Sequence, residues 1–206
     1  MIEEIIPGNR TRLNILKAIY ENPGINLTSL IKKVKASPNL VLDYTNKLSY
    51  YGIIKEINIG GKKKVHIKSI KPNLESNNGK LIYSLIEVDK KLLFFEKYKK
   101  LKHYLLQLND IINKEVLFIV VYGSYARFAA TNDSDLDILI VGTLNKEKIT
   151  RIKEIFISLD IEPSIKIEDF DKFMKNVDKP LYQNIIKEHV IICGEINFID
   201  SLTGKA

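Results

Sequence analysis

The sequence predicts an α+β chain in two parts joined by a long helix. Three observations carry this. The first 71 residues hold three short segments of helical apolar spacing, then two strand-like runs around Gly60-Gly61. Residues 80–113 repeat apolar side chains every three or four positions. Residues 116–193 alternate strand-like and helix-like segments, as a sheet covered by helices requires. The expected divisions are 1–71, a linker with the long helix over 72–115, and 116–206.

In the first part, Leu13, Leu16 and Tyr20 share one face of a helix over 10–20, and Asn22-Pro23-Gly24 stops it. Asn26 or Thr28 caps a second helix with Leu27, Leu30, Ile31 and Val34 as its apolar stripe. Ser37-Pro38 is a cap followed by proline at the first helical position. That third helix runs to Tyr51 with Leu40, Tyr44, Leu48 and Tyr51 inward, and Gly52 ends it. Strands over 53–59 and 65–70 form a hairpin with Lys62, Lys63 and Lys64 at its turn. Residues 72–78 are polar and turn-prone.

The long helix carries two stripes. One is Leu81, Leu85, Val88, Leu92 and Phe95; the other is Phe94, Tyr98, Leu101, Leu105, Leu108 and Ile112. The shift near Phe94 allows one break. Two stripes exceed what one small domain covers, so the helix is a candidate dimerisation element and a homodimer is expected. Beyond it, strands are expected over 116–122, 135–141, 161–167 and 190–193. Helices are expected over 123–130, 145–158, 168–176 and 180–189.

Composition removes several classes. Hydrophobic residues are 45% of the chain, enough for a packed core. No apolar run approaches the roughly 18 residues of a membrane span, and Met1-Ile2-Glu3-Glu4 is no signal-peptide start. The single cysteine, Cys193, excludes an internal disulfide and a cysteine-only zinc site. His66, His103 and His189 lack metal-ligand spacing. These features predict a cytoplasmic location. Residues 1–78 hold 13 Lys and Arg against 6 acids, whereas 116–206 hold 11 against 14. The first part therefore attracts a polyanion and the last repels one unless metal ions intervene.

The chemistry is concentrated in one stretch. An apolar strand ends at Tyr122, Gly123-Ser124 turns the chain into a helix, and ten residues later Asp135-Leu136-Asp137 opens a second apolar strand. Strand residues two apart point the same way, about 6.6 Å from each other, so Asp135 and Asp137 face one site. Paired carboxylates suit Mg²⁺ or Mn²⁺, which share their remaining positions with substrate phosphates. Gly123 lets a phosphate approach the backbone, and the Ser124 hydroxyl suits a phosphate oxygen.

Gly123-Ser124, ten residues, Asp135-Leu136-Asp137 resembles the signature of the DNA polymerase beta-like nucleotidyltransferases. Gly-Ser-Tyr-Ala-Arg, Asn-Asp-Ser-Asp-Leu-Asp-Ile-Leu, Glu168-Asp169-Phe170 and the stretch from Pro180 to Gly194 are similar to the minimal nucleotidyltransferase branch. The likeness covers about 116–195. It implies a small mixed sheet flanked by helices, a nucleoside triphosphate as substrate, and nucleotide and Mg²⁺ at Gly123, Ser124, Asp135 and Asp137. Two positions depart from the pattern. Phe128 stands where a glycine commonly follows the Ala-Arg pair. Active members also carry a third carboxylate on the next strand; here Glu162 is the first candidate and Asp160 the second.

Leu48-Ser49-Tyr50-Tyr51-Gly52-Ile53-Ile54-Lys55 resembles a recognition helix running into the wing of a winged helix-turn-helix, over about 8–71. The resemblance implies that residues 37–51 enter the major groove of duplex DNA. Asn39, Asp43, Asn46, Lys47 and Tyr50 share the face opposite the apolar stripe. Asn46 suits an adenine edge, and Lys62, Lys63 and Lys64 suit phosphates. A winged helix used for protein contacts is the alternative. Two functions remain: a metal-dependent nucleotidyltransferase coupled to a DNA-binding winged helix, or a DNA-binding regulator whose nucleotidyltransferase domain binds nucleotide without transfer.

Overall fold

The computed structural model describes residues 10–60, 66–112, 114–157, 161 and 163–203. Two compact units divide the chain: one ends at Ile86 and is joined by Leu202 onward, and the other is Glu87–Ser201. No helix among the described residues is long and apolar enough to cross a membrane.

The first unit contains α1 (Arg10–Glu21), β1 (Ile25–Asn26), α2 (Leu27–Val34), α3 (Pro38–Tyr50), β2 (Ile54–Gly60), β3 (His66–Pro72) and the start of α4 (Asn77–Lys97). Asn26 caps α2 by accepting from Ser29 N at 2.8 Å. Ser37 caps α3 from outside Pro38, accepting from Leu40 N at 3.4 Å. Two residues, Ile25 and Asn26, add a short strand, giving an antiparallel sheet of order β1-β3-β2. The apolar period alone does not reveal that strand. On α3 the buried side chains are Val41, Tyr44, Thr45 and Leu48; of the expected inward stripe, Leu40 is only half-buried, and so is Tyr51, which lies just past the helix. Thr45 tolerates burial because its hydroxyl donates to Val41 O at 2.9 Å.

Residues 72–78 are held rather than loose. Asn73 Nδ2 donates to Gly52 O at 2.9 Å, and Asn78 Nδ2 donates to Tyr51 O at 3.0 Å. Ser76 Oγ donates to the same Gly52 carbonyl at 2.5 Å. The carbonyls of Tyr51 and Gly52, just past the end of α3, thereby fix the start of α4. Tyr83 of α4 is fully buried and stacks on Tyr20 at 4.9 Å.

The second unit holds the rest of α4, then α5 (Lys99–Ile112), β4 (Val116–Tyr122), α6 (Gly123–Ala126), β5 (Leu136–Gly142) and α7 (Lys146–Ile155). It continues with β6 (Pro163–Glu168), α8 (Phe170–Asn176), α9 (Pro180–Lys187), β7 (Val190–Cys193) and, as far as Ser201, α10 (Glu195–Thr203). The long helical segment is thus two helices that meet at Tyr98. The terminal helix α10 is an addition to the elements expected from spacing. The sheet order is β6-β5-β4-β7, with β5 and β6 parallel and the other pairs antiparallel. Parallel neighbours need a crossover, and α7 supplies it.

β4 and β5 are central, so residues 118–121 of β4 and Leu136 and residues 138–141 of β5 are buried and apolar. One sheet face, with Ile119, Val121, Ile138, Ile140, Val190 and Ile192, packs on Leu101, Leu105 and Leu108 of α5 and Ile152 of α7. On the other, Phe118 meets Phe173 of α8 at 5.3 Å and Phe198 of α10 at 5.2 Å. There His189 is buried, with Nε2 3.1 Å from Glu87 Oε1 and Nδ1 3.0 Å from the Ile185 and Ile186 carbonyls. Gly194 takes φ +80° against the Leu117 carbonyl, where a side chain has no room.

Candidate active site

The register of the two central strands builds the site. Tyr122, the last residue of β4, pairs with Asp137, the second residue of β5. Gly123 follows with φ +71°, and a Cβ there would collide with Asp137 Oδ2. The Asp137 carboxylate therefore lies against the backbone of the Gly-Ser turn, and only glycine accommodates both the conformation and the approach. Ser124 is half-buried, and its carbonyl accepts from Ala129 N at 3.0 Å.

Asp135 stands just before β5 rather than on it, and it is exposed. The turn before it is closed by Thr131 N donating to Ser134 Oγ at 2.9 Å and Ser134 N donating to Thr131 O at 3.2 Å. Asp137 is half-buried. Its pKa is raised above the ordinary aspartate range by burial, and the neighbouring Asp135 charge adds to the rise. A hydrogen bond from Ser164 and the charge of Arg127 oppose it. A carboxylate pair held this way favours a cation that neutralises both.

Gly123 and Asp137 line a cleft of about 420 Å³ with Tyr122, Arg127, Asn184 and Glu188. Across it, Arg127 Nη1 lies 3.4 Å from Glu188 Oε2. Burial and then the Asp137 charge push the Tyr122 phenol up. No spacing in the sequence joins Arg127, Ser164, Asn184 and Glu188 to Asp137. They come from the end of α6, from β6 and from α9 and the residue after it, and only strand register could have found Ser164.

Glu162 and Asp160, the candidates for a third carboxylate, lie outside the described residues. Strand β6 runs parallel to β5 with Ser164 opposite Asp137, Lys166 opposite Leu139 and Glu168 opposite Val141. Ser164 thus occupies the position on the next strand directly beside Asp137. Glu168 is four residues farther along, about 13 Å at strand rise. It is buried and accepts from the Tyr182 hydroxyl at 2.8 Å. Among the described residues, no three His, Cys, Asp or Glu side chains converge as metal ligands. The oxygen donors at this place are Asp137, Ser164, which donates to it, and Asp135, whose charge it feels. They are hard donors, and few enough to leave Mg²⁺ positions for substrate phosphates.

Phe128 has φ +58°, in the left-handed region. Glycine adopts that conformation without strain, whereas a side chain there must be held. The ring packs instead of narrowing the cleft, lying 6.2 Å from Phe94 and 6.3 Å from Tyr98. Lys97 Nζ donates to the Phe128 carbonyl at 2.5 Å and holds the strained residue in place.

In the first unit, Asn39, Asp43, Asn46 and Tyr50 are exposed along one face of α3, joined by Leu42. Tyr50 is 85% exposed, which no core role explains. Lys47 Nζ lies 3.3 Å from Asp43 Oδ2, so this pair partly neutralises itself. Lys62, Lys63 and Lys64 lie outside the described residues.

Residues 99–196 match the Polymerase beta, Nucleotidyltransferase family, and residues 9–55 match Winged helix-turn-helix DNA-binding. A candidate protein adenylyltransferase of Methanocaldococcus jannaschii is 25% identical over 91 residues, covering 44% of this chain and 91% of that protein. Among solved structures, a toxin–antitoxin with AMP-PNP aligns at TM-score 0.36 and 16% identity, covering 50% of this chain and 84% of that one. A mutant of the toxin–antitoxin MntA-HpeT aligns at TM-score 0.34 and 13% identity, covering 48% and 85%.

The raised pKa of Asp137 has a measurable consequence. The folded chain holds that proton more tightly than the unfolded chain, so stability falls as pH rises through the folded pKa. Asp137→Asn keeps the hydrogen bond from Ser164 and removes the charge. In metal-free buffer at neutral pH it should raise the melting temperature, on the order of 1–2 °C because solvent screens the group. Below the ordinary aspartate range of about 3.9, both proteins should melt together. Added Mn²⁺ should stabilise the wild type and not the variant. Differential scanning calorimetry at the two pH values checks this.

Proposed function

We propose that this chain, a polymerase beta-like nucleotidyltransferase domain fused to an N-terminal winged helix-turn-helix domain, transfers a nucleotidyl group from ATP to a hydroxyl. The observation that carries the reading is the Asp137 carboxylate lying against the Gly123 backbone, with Asp135 in the turn just before it. Asp135 and Asp137 would hold Mg²⁺ or Mn²⁺, which when bound neutralises phosphate charge and draws on substrate oxygens for its remaining ligands. The Gly123 backbone and the Ser124 hydroxyl receive the triphosphate, and Arg127 adds positive charge at the cleft. The acceptor oxygen bonds to the α-phosphorus, the bond to pyrophosphate breaks, and the hydroxyl proton passes to Glu162 as base. Rate comes from positioning and charge neutralisation. The name of the Methanocaldococcus jannaschii relative supports a protein hydroxyl as acceptor.

A second reading has its own support. Ser164, a group with no basicity near neutral pH, stands beside Asp137 on the next strand. A domain whose third acid is absent binds nucleotide and reports it without transfer. Calorimetry of ATP into wild type and Asp137→Ala, with and without Mg²⁺, tests what both readings share. Binding should require metal and Asp137; equal affinity in all four cases sinks both. Transfer of label from α-labelled ATP to protein separates them.

The winged helix is read as a duplex DNA binder, with Asn39, Asn46 and Lys47 toward the major groove and Lys62, Lys63 and Lys64 toward phosphates. Alanine at the three lysines should weaken binding to all sequences alike. Each lysine–phosphate pair removed should lower the log–log salt slope by about 0.9. Asn46→Ala should instead change the preference at one base pair by about 1–3 kcal/mol. Anisotropy titrations of the full chain at two salt concentrations measure both effects. An absence of binding at about 50 mM salt overturns the assignment.

A homodimer fits a palindromic DNA site, and the exposed Leu92 and Leu93 of α4 support one. Light scattering should give twice 23.7 kDa; the mass of one chain would refute it.

A further inference from the structure

The outer face of α3 has a composition that attraction to phosphate does not explain. At about 100° per residue, Asn39, Asn46 and Tyr50 fall within about 40° of one another, opposite the buried Val41, Tyr44 and Leu48. Leu42 flanks them on one side and Asp43 on the other, and all five are exposed. Lys47 stands at the edge of the face and is half-buried. Among the described residues, the side-chain amides of Asn39 and Asn46 have no hydrogen-bond partner.

Each base edge in the major groove calls for different chemistry. Guanine presents two acceptors and is read most often by arginine or lysine. Adenine presents an acceptor beside a donor, which a carboxamide matches with two hydrogen bonds, and thymine presents a methyl group. None of the chain's four arginines stands on α3. Of the two in the first unit, Arg10 opens α1 and Arg12 lies 5.4 Å over the Tyr44 ring. The single cation of α3, Lys47, has its Nζ 3.3 Å from Oδ2 of the single acid, Asp43. That pairing weakens a guanine reader and a cytosine reader together. Two carboxamides and an apolar side chain stay free. Asn39 and Asn46 are separated by about 10.5 Å along the helix axis, which spans about three base-pair steps of roughly 3.4 Å. Leu42 falls between them.

We propose that α3 reads a short A·T-rich site in the major groove, with Asn39 and Asn46 each taking an adenine edge and Leu42 a thymine methyl. The proposal rests on the DNA-binding reading of the winged helix above and adds the class of sequence it selects. The 13 Lys and Arg against 6 acids in residues 1–78 supply the general attraction to phosphate. The face of α3, with its one cation and one acid paired, supplies the choice among bases.

The test uses the full chain and fluorescent duplexes of one length, titrated by anisotropy. Duplexes with a randomised centre are first enriched on the protein, and the enriched site should consist mainly of A·T pairs. In that site, 7-deazaadenine then replaces adenine to delete N7, and uracil replaces thymine to delete the methyl. Both changes are confined to the major groove. One 7-deazaadenine at a contacted position should weaken the wild type about tenfold and should not weaken Asn39→Ala/Asn46→Ala any further. Uracil should weaken the wild type about fourfold, the scale of one buried methyl, and should leave Leu42→Ala unaffected. Asp43→Ala, which frees Lys47, should admit guanine. These side chains are exposed, so the variants should melt with the wild type. Enrichment of G·C pairs, or an A·T preference indifferent to both base analogues, overturns the proposal and leaves DNA binding intact. Failure to bind any duplex at about 50 mM salt refutes the DNA-binding reading and this proposal with it.

Discussion

The pairing of Tyr122 with Asp137 is the constraint on which the second unit depends. It sits at the end of the two central strands of the sheet, whose apolar residues are buried on both faces, so the position of one polar side chain is tied to the packing of the whole sheet. A slip of one residue would turn Asp137 to the opposite face. It would also place Ile138, now fully buried, on the polar side. The close approach of Gly123 to the carboxylate follows from that register, and so does the parallel placement of Ser164. Hydrophobic burial thus sets the geometry of a charged site it does not touch.

Charge is managed differently at the two ends of that sheet. Near the Gly-Ser turn, Asp137 is half-open, opposed by Asp135 and only partly relieved by Ser164 and Arg127. Deeper in, Glu168 is buried, takes the Tyr182 hydroxyl, and has the Lys166 ammonium 3.9 Å away. Both partners are on Glu168 Oε2, and its Oε1 is buried with no hydrogen-bond partner among the described residues. An open pair left in mutual repulsion is poised for a cation. The same contrast separates the basic first third of the chain from its acidic last third.

The junction of α4 and α5 and the strained Phe128 are one feature. The hydrogen-bond ladder continues through the junction, with Tyr98 N to Phe94 O at 2.8 Å and Lys102 N to Tyr98 O at 3.3 Å. The aromatic rings of Phe94, Tyr98, Tyr125 and Phe128 meet there, and Lys97 ties them to the loop after the Gly-Ser turn. A left-handed phenylalanine is tolerated because its ring and its carbonyl are both held.

Most elements of this protein, and the spacing of its Gly-Ser and Asp-x-Asp motifs, are legible in the chain alone. Apolar strands with two-sided burial and helices with Ser37 and Asn26 at their starts follow from local pattern, where residue chemistry acts directly. Even the shift of the apolar stripe near Phe94 announces a break in the long helix. Short elements are not legible: β1 has two residues, too few for a period, and α10 follows a strand with little apolar repetition. Long-range packing is what sets Asp135 off the strand, brings Ser164 beside Asp137, and turns Arg127 toward Glu188 across a cleft. Those placements depend on strand register and on helices brought over the sheet from distant parts of the chain, 61 residues apart for Arg127 and Glu188. They are consequences of burying β4 and β5, and no window of neighbouring residues contains them.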